Sequence, residues 1–507
     1  AFYLYDWASS VFTNSILLIP ILITELAKAQ ATGTDWNEHF QCESKIDCLD
    51  SVMQGEDICK TAPLICQWNT TDFAQVTGGF CEPMVETCVP ATANKCCVLD
   101  PEDKTVPFLG FQVNYMSVFA YLVSISVVLQ VLFFVILGPL ADYGVWSRFL
   151  FKASTAAGCV CLCLVCFTGD MPWEFPAALF VVGNVCFGVA TMFYNSHLPQ
   201  IVTPDKLDQV GSYGVGIGFL GGQICLFLMF VPLFSISDKE HCLTGLAVAI
   251  GMTGFWWAGF GALAIRKLPV LVGPEPPDGV SLKTLGIKKV IKTTSMIRKE
   301  LPITGQFLVA YFIFSDGLST LVETVLVFAT EELCMTFDDV ITLLIMVEMC
   351  SAIGAFAWEK IVAKELMSTK NAIVLNLSII GLMPLLGHPS VPVFSSEQLW
   401  TFNVAAVLFG FCQGGTHGLT RSLFARFIPK GRENEFYGFY EITDKGTSWL
   451  GPLVVGIVIS ATGSLRLGFF SITFFMAVGG FLLWRVDVEK GADAVGRGVG
   501  AVEEEDV

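Results

Sequence analysis

The segment Val113–Leu140 reads VNYMSVFAYLVSISVVLQVLFFVILGPL and carries no charged side chain. About 20 consecutive apolar residues suffice for an α-helix to cross the hydrocarbon core of a bilayer. No water is present there to bond the peptide groups, so such a span must satisfy them internally, as a helix does. Working outward, similar runs occupy Phe2–Glu25 on one side and Phe149–Thr168, Pro176–Phe193, Gly211–Phe234 and Leu243–Ala264 on the other. After a polar gap come Ile303–Ala329, Ile341–Ala357, Ala372–Leu386, Leu399–Leu419, Phe436–Ser460 and Leu467–Trp484. The expectation is an all-α polytopic membrane protein with twelve transmembrane helices, arranged as six, a connection and six.

Composition agrees with that reading. Of 507 residues, 53% are apolar and only 15% charged, with mean hydropathy +0.64, which leaves too little polar surface for a soluble chain of this length. Ala1 already stands inside an apolar run, so the natural N-terminus is expected upstream. If the first helix starts in the cytoplasm, most of the 29 Lys and Arg fall on inward loops and the C-terminal tail. Arg266, Lys267, Lys283, Lys288, Lys289, Lys292, Arg298 and Lys299 of the central connection are among them. This asymmetry satisfies the positive-inside rule and puts both termini in the cytoplasm. The net charge of −17 is then sorted by compartment, identifies no partner and gives no reason to expect nucleic acid.

The first outward loop, 28–110, carries Cys42, Cys48, Cys59, Cys66, Cys81, Cys88, Cys96 and Cys97. An even number of closely spaced cysteines on the non-cytosolic side reads as a disulfide-rich luminal loop, with the pairing left open. Zinc is the rival reading, but paired Cys-x-x-Cys knuckles are absent from the loop. The sequon at Asn69 is a candidate glycosylation site on the same side.

Other patterns are better explained by packing. Gly216-Ile217-Gly218-Phe219-Leu220-Gly221 spells a dinucleotide fingerprint but lies inside an apolar span, where no strand precedes it. Gly214, Gly218 and Gly222, like Gly410, Gly414 and Gly418, form smooth helix faces for close approach in lipid. Cys163 and Cys166 read as small apolar side chains in the third span. With no nucleophile elbow, metalloprotease helix or phosphate loop, the sequence suggests neither an enzyme nor a cofactor or metal site.

The halves echo each other. Phe2-Tyr3-Leu4-Tyr5-Asp6-Trp7-Ala8-Ser9-Ser10 aligns with Phe312-Ile313-Phe314-Ser315-Asp316-Gly317-Leu318-Ser319-Thr320 at one offset. With six-plus-six topology this suggests two parallel repeats and a carrier that holds its solute between them. Gly138-Pro139-Leu140-Ala141-Asp142-Tyr143-Gly144, followed by Arg148, resembles the cytoplasmic loop signature of the major facilitator superfamily. That resemblance implies that Asp142 and Arg148 act in gating. The matching turn, Gly354-Ala355-Phe356-Ala357-Trp358-Glu359, is degraded, so any latch should be lopsided.

Three stretches carry a narrower resemblance: Tyr3–Ser10, Tyr194-Asn195-Ser196-His197-Leu198-Pro199, and the run from Ser422 to Pro452. The last ends in Asp444-Lys445-Gly446-Thr447-Ser448-Trp449-Leu450-Gly451-Pro452. Together they resemble the autophagy-related vacuolar amino-acid effluxers, a branch of the major facilitator superfamily. The resemblance implies export of amino acids from a vacuolar or lysosomal lumen to the cytosol. His417 stands where that pattern has Gln, and the cysteine-rich loop is not part of it.

Ionisable groups inside spans are costly and need either a partner or a task. Asp6, Asp316, Glu323, Glu348, His417 and Arg421 are candidates for substrate binding or proton coupling. The competing reading makes Asp6 a helix-start residue, Asp316 a bonded structural acid and His417 a buried imidazole on a carbonyl. Glu441, Asp444 and Lys445 read first as a structural ion network, with Glu441 and Lys445 at i,i+4 spacing. The domain reading is an N-terminal bundle over 1–265, a linker over 266–301 with a basic amphipathic helix on the cytoplasmic leaflet, a C-terminal bundle over 302–485 and an acidic disordered tail over 486–507.

The functional expectation is a monomeric, alternating-access carrier of small solutes, amino acids first, with protons as the candidate coupling ion. A non-transporting receptor or scaffold built on the cysteine-rich loop is the reading from another class. A carrier of a sugar or other small molecule is a third.

Overall fold

The computed structural model describes residues 1–32, 64–65, 98–99, 105–236, 242–275, 282–333, 335, 337–391, 393–394, 399–446 and 450–496. The eight loop cysteines from Cys42 to Cys97 and the Asn69 sequon lie outside these residues. In the loop, Leu64–Ile65 pairs antiparallel with Val98–Leu99, and a hairpin of β1 (Thr105–Phe108) and β2 (Phe111–Asn114) follows, with Thr105 opposite Asn114. Its two-residue turn, Leu109 and Gly110, has positive φ at both positions, as a tight hairpin turn requires.

The N-terminal half contains α1 (Phe2–Ser9), α2 (Val11–Thr32), α3 (Tyr115–Ala141), α4 (Trp146–Val165), α5 (Glu174–Ile201), α6 (Leu207–Ile236) and α7 (Cys242–Lys267). The linker helix is α8 (Leu282–Lys299). The C-terminal half contains α9 (Pro302–Glu331), α10 (Phe337–Ala363), α11 (Thr369–Leu386), α12 (Leu399–Ala425), α13 (Glu433–Lys445), α14 (Leu450–Thr462) and α15 (Leu465–Trp484), followed by a short α16 (Val488–Asp493).

Among the described residues nine helices are long and apolar enough to cross a membrane: α3 to α7, α9 to α11 and α15. The expected first, tenth and eleventh spans are not among them, and two of these differ in form from the expectation. The first, expected over Phe2–Glu25, is interrupted at Ser10 and runs on to Thr32. Ser9 and Ser10 each donate a side-chain hydrogen bond back to the carbonyl four residues earlier (2.9 and 2.7 Å), an arrangement that bends helices. The eleventh, expected over Phe436–Ser460, is two helices, α13 and α14, the first ending at the polar Asp444-Lys445 pair. The tail expected to be disordered from 486 begins with α16, whose Gly491 sits against Phe427 and Ile303.

Each half packs within itself, α1 on α6 and α7, α4 on α5 and α7, and in the second half α10 on α12 and α9 and α11 on α15. The halves meet along α6–α10 and α6–α12 on one side and α3–α13 and α5–α13 on the other. In span order this pairs the fifth of one half with the second of the other, and the second with the fifth, the exchange a pseudo-twofold axis produces. Phe227, Phe255 and Phe474 point outward and are exposed, as side chains facing lipid are.

Candidate functional site

Between the halves lies a cavity of ≈ 400 Å³. It extends from Asp6 in α1 and Ser10 at the break after it to Phe394 and Phe469 in the C-terminal half. Its wall is mostly apolar, with Leu321 and Val325 of α9, Val347 of α10 and Phe409 of α12. The polar exceptions are few: Asp6, Ser10, Glu348, Gln413 and His417. Gln413 and His417 are one turn apart on α12 and face the cavity together. Mostly apolar walls with a few convergent polar groups are the usual make-up of a small-molecule site.

At its inner edge Asp6 meets Arg421 from the opposite half. The guanidinium donates to both carboxylate oxygens, at 3.0 and 3.1 Å, and also to the carbonyl of Gly211 at 2.7 Å. The Tyr194 hydroxyl donates to Asp6 at 2.5 Å. Arg421 lies over the Phe2 and Tyr194 rings, which stack with centroids 4.3 Å apart. Two fixed donors on a planar fork suit a carboxylate, which is why Arg rather than Lys holds such a position. Asp6 fits between α1 and α6 only because Gly214 has no side chain: a Cβ there would stand 2.1 Å from Asp6 Oδ2.

Beyond this pair the halves close on each other at the end rich in Lys and Arg. Asp142 crosses to accept the Asn434 backbone N–H at 2.9 Å, at the start of α13. Asn434 also accepts from Ser147 (3.0 Å) and Ser196 (2.7 Å) with its side-chain oxygen. Lys289 of α8 reaches both Asp142 (3.3 Å) and Glu435 (3.7 Å), so the linker touches both halves. Thr293 and Arg432 complete this cluster on Glu435. A second cluster centres on Asp208 at the start of α6, which accepts from Arg426 (2.6 Å), Thr369 (2.6 Å) and Ser422 (2.8 Å) of the C-terminal half. Asp142 is almost fully buried. Burial, with Glu435 adding to it and Lys289 opposing, pushes its carboxyl up to about 7. Gly273 passes so close that a Cβ would sit 2.0 Å from the Asp142 carbonyl oxygen, and Gly144 turns the chain at φ +51°.

The structure brings together some of the residues expected from the sequence and separates others. Asp6, Glu348 and His417 line the cavity, with Arg421 directly behind Asp6. Asp316, a candidate for substrate binding or proton coupling, does not line it. It is fully buried in the C-terminal half against Gly451 and Thr320. This placement mirrors that of Asp6 and Ser10 against Gly214 and Gly218: each acid faces the fifth span of its own half. Glu323 is exposed and off the cavity, because the face of α9 turned inward carries Leu321, Val322, Val325 and Leu326.

Arg148 does not meet Asp142. Its guanidinium donates to the carbonyls of Ile265 (3.1 Å) and Leu268 (2.9 Å) at the end of α7, within its own half. Asp142 therefore spans the halves while Arg148 steadies one of them. The expected cluster of Glu441, Asp444 and Lys445 is present, with Lys445 at 4.0 Å from Glu441 and 3.8 Å from Asp444. Asn195 donates to Glu441 at 3.0 Å and Tyr311 to Asp444 at 2.7 Å. Cys163 in α4 and Cys166 just past its end are free thiols.

Sequence reasoning missed Tyr194, Asn195, Asp208, Lys289, Asn434 and Glu435 as site residues. All but Lys289, which is in the linker helix, are polar within or beside a span, and the rule that such groups need partners would have flagged those five. Naming the partners required the fold, since Asn434 and Asp142 are 292 residues apart in the chain.

Two helical halves that enclose a cavity and meet by cross-contacts at one end form a fold like that of solved major facilitator superfamily transporters. Solved structures of similar fold include the proton:xylose symporter XylE bound to 6-bromo-6-deoxy-D-glucose (TM-score 0.56, 10% identity, covering 73% of this chain and 86% of that one). They also include the human organic anion transporter MFSD10 (TM-score 0.56, 14% identity, 94% and 99%). The family described as vacuole effluxer Atg22 like matches residues 1–496, and the chain belongs to that family of membrane transporters. Among its relatives, Autophagy-related protein 22 of Chaetomium globosum is 26% identical over 88% of this chain and 83% of its own length. Autophagy-related protein 22-2 of Emericella nidulans is 27% identical over 79% and 81%.

Proposed function

We propose that this transporter, acting as a monomer, exports amino acids from a vacuolar or lysosomal lumen to the cytosol by alternating access. The observation that carries the reading is the Asp6–Arg421 pair at the inner edge of an otherwise apolar cavity. A zwitterion inserted there offers an ammonium to Asp6 and a carboxylate to Arg421, so each charge exchanges one partner for another. The apolar wall then receives the side chain. Because Asp6 and Arg421 come from opposite halves, the exchange loosens their direct bond and lets the sealed end part. Positive-inside asymmetry assigns that sealed, basic end and both termini to the cytosol.

Of Asp316, Glu323 and Glu348, Glu348 alone lines the cavity, and it is assigned the coupling proton. Reconstitution of the full chain in liposomes loaded with labelled amino acids tests the proposal. Efflux should exceed that from protein-free liposomes, vanish in Asp6→Asn, and lose its response to a pH gradient in Glu348→Gln. Binding without flux would make the chain a receptor; flux confined to a sugar would change the cargo.

A further inference from the structure

On the outer face of the basic end, α8, α9, α13 and α15 enclose a groove of ≈ 800 Å³ that is separate from the central cavity. Arg298 and Arg485 line it together with Gln306, and no carboxylate does. Both guanidinium groups are exposed, and among the described residues neither forms an ion pair. Arg485 leans over the Phe481 ring at 5.9 Å. Below them the wall turns apolar, with Val309, Phe439 and Leu482. Val309, Phe481 and Trp484 are exposed on the surface that faces lipid, and Trp is the residue typical of the level where headgroups begin.

We infer that this groove holds an anionic phospholipid, its phosphate between Arg298 and Arg485 and an acyl chain along Val309, Phe439 and Leu482. A guanidinium offers paired donors to phosphate oxygens, and two unpaired ones at a membrane surface attract negative headgroups. A free phosphate has the same chemistry for the arginines but leaves the apolar wall uncovered. The leaflet assigned to the basic end is the cytosolic one, where anionic lipids are concentrated. Phe439 is on α13, the helix that also carries Asn434 and Glu435, so a bound lipid touches the element that seals the halves.

The test uses the purified full chain in neutral detergent, titrated with fluorescent phosphatidylserine and with phosphatidylcholine of the same acyl chains. Phosphatidylserine should bind more tightly. Arg298→Gln/Arg485→Gln should weaken it about thirtyfold, roughly fivefold for each charge near the surface. Lys152→Gln/Lys267→Gln, which removes two exposed charges outside the groove, should leave it unchanged. Val309→Asn should weaken the lipid without restoring affinity for inorganic phosphate. Equal affinity for both lipids, or an unaffected arginine double variant, overturns the inference. Displacement of the lipid by an equal concentration of inorganic phosphate overturns it too, because the site then takes a soluble anion.

Discussion

Asp6 and Arg421 are both nearly buried, and a charge stripped of its partner in such a place is worse off than no charge at all. Arg421→Gln should therefore destabilise the protein by about 3–5 kcal/mol. The double variant Asp6→Asn/Arg421→Gln should recover much of that loss in thermal unfolding of the solubilised protein. Simple additivity of the two single effects would show that pairing is not what holds them. Asp142 makes a pH-dependent contribution. In the closed end its carboxyl is raised to about 7; exposed to water it would return to about 3.9. Closure thus binds the proton more tightly, so its stabilisation is complete below about pH 4 and is lost as pH rises to about 7. Spectroscopic distances across the sealed end should show opening that increases over that interval and levels off above it. Asp142→Asn, which keeps an acceptor for the Asn434 N–H, should flatten the profile.

Helix faces were legible where periodicity alone decides them. Gly410 and Gly414 read as packing positions, and α12 does approach α10 there: a Cβ on Gly414 would lie 1.8 Å from the Ser351 carbonyl oxygen. Gly414→Ala should overpack this contact and cost about 1–3 kcal/mol, measured as a drop in unfolding temperature. Gly456→Ala on α14, with nothing within 4 Å, should instead be neutral or slightly stabilising. The interruptions were not legible. An apolar run reports that a segment can enter a membrane, but the bend at Ser10 depends on hydroxyls bonding backward to the chain. The first of the two helices replacing the eleventh run, α13, ends at Asp444 and Lys445, where Tyr311 of α9 bonds Asp444 and Lys445 pairs with Glu441 and Asp444 of its own helix. Asp316 was listed as a site candidate for a related reason, because its alignment with Asp6 gave an equivalent position in the other half but not its distance from the cavity.

At the scale of the whole molecule, apolar runs made a helical membrane protein of two halves readable, while the contacts joining the halves stayed hidden. They pair residues hundreds of positions apart and include Lys289 from a connection that sequence alone assigned to the membrane surface. Joining the halves covalently should stop the cycle. Ser147 and Asn434 touch across the sealed end, so Ser147→Cys/Asn434→Cys should lose transport on oxidation and regain it on reduction. Full activity after cross-linking would mean that this end does not part. The bond between Asp6 and Arg421 has one more consequence, an electrical one. A lone guanidinium moved across the whole field of a membrane held at 100 mV exchanges about 2.3 kcal/mol with it. Asp6 and Arg421 together are neutral, and a zwitterion placed between them adds no net charge. The membrane voltage therefore has almost no purchase on this part of the protein, and any sensitivity of transport to voltage must enter through a coupling ion.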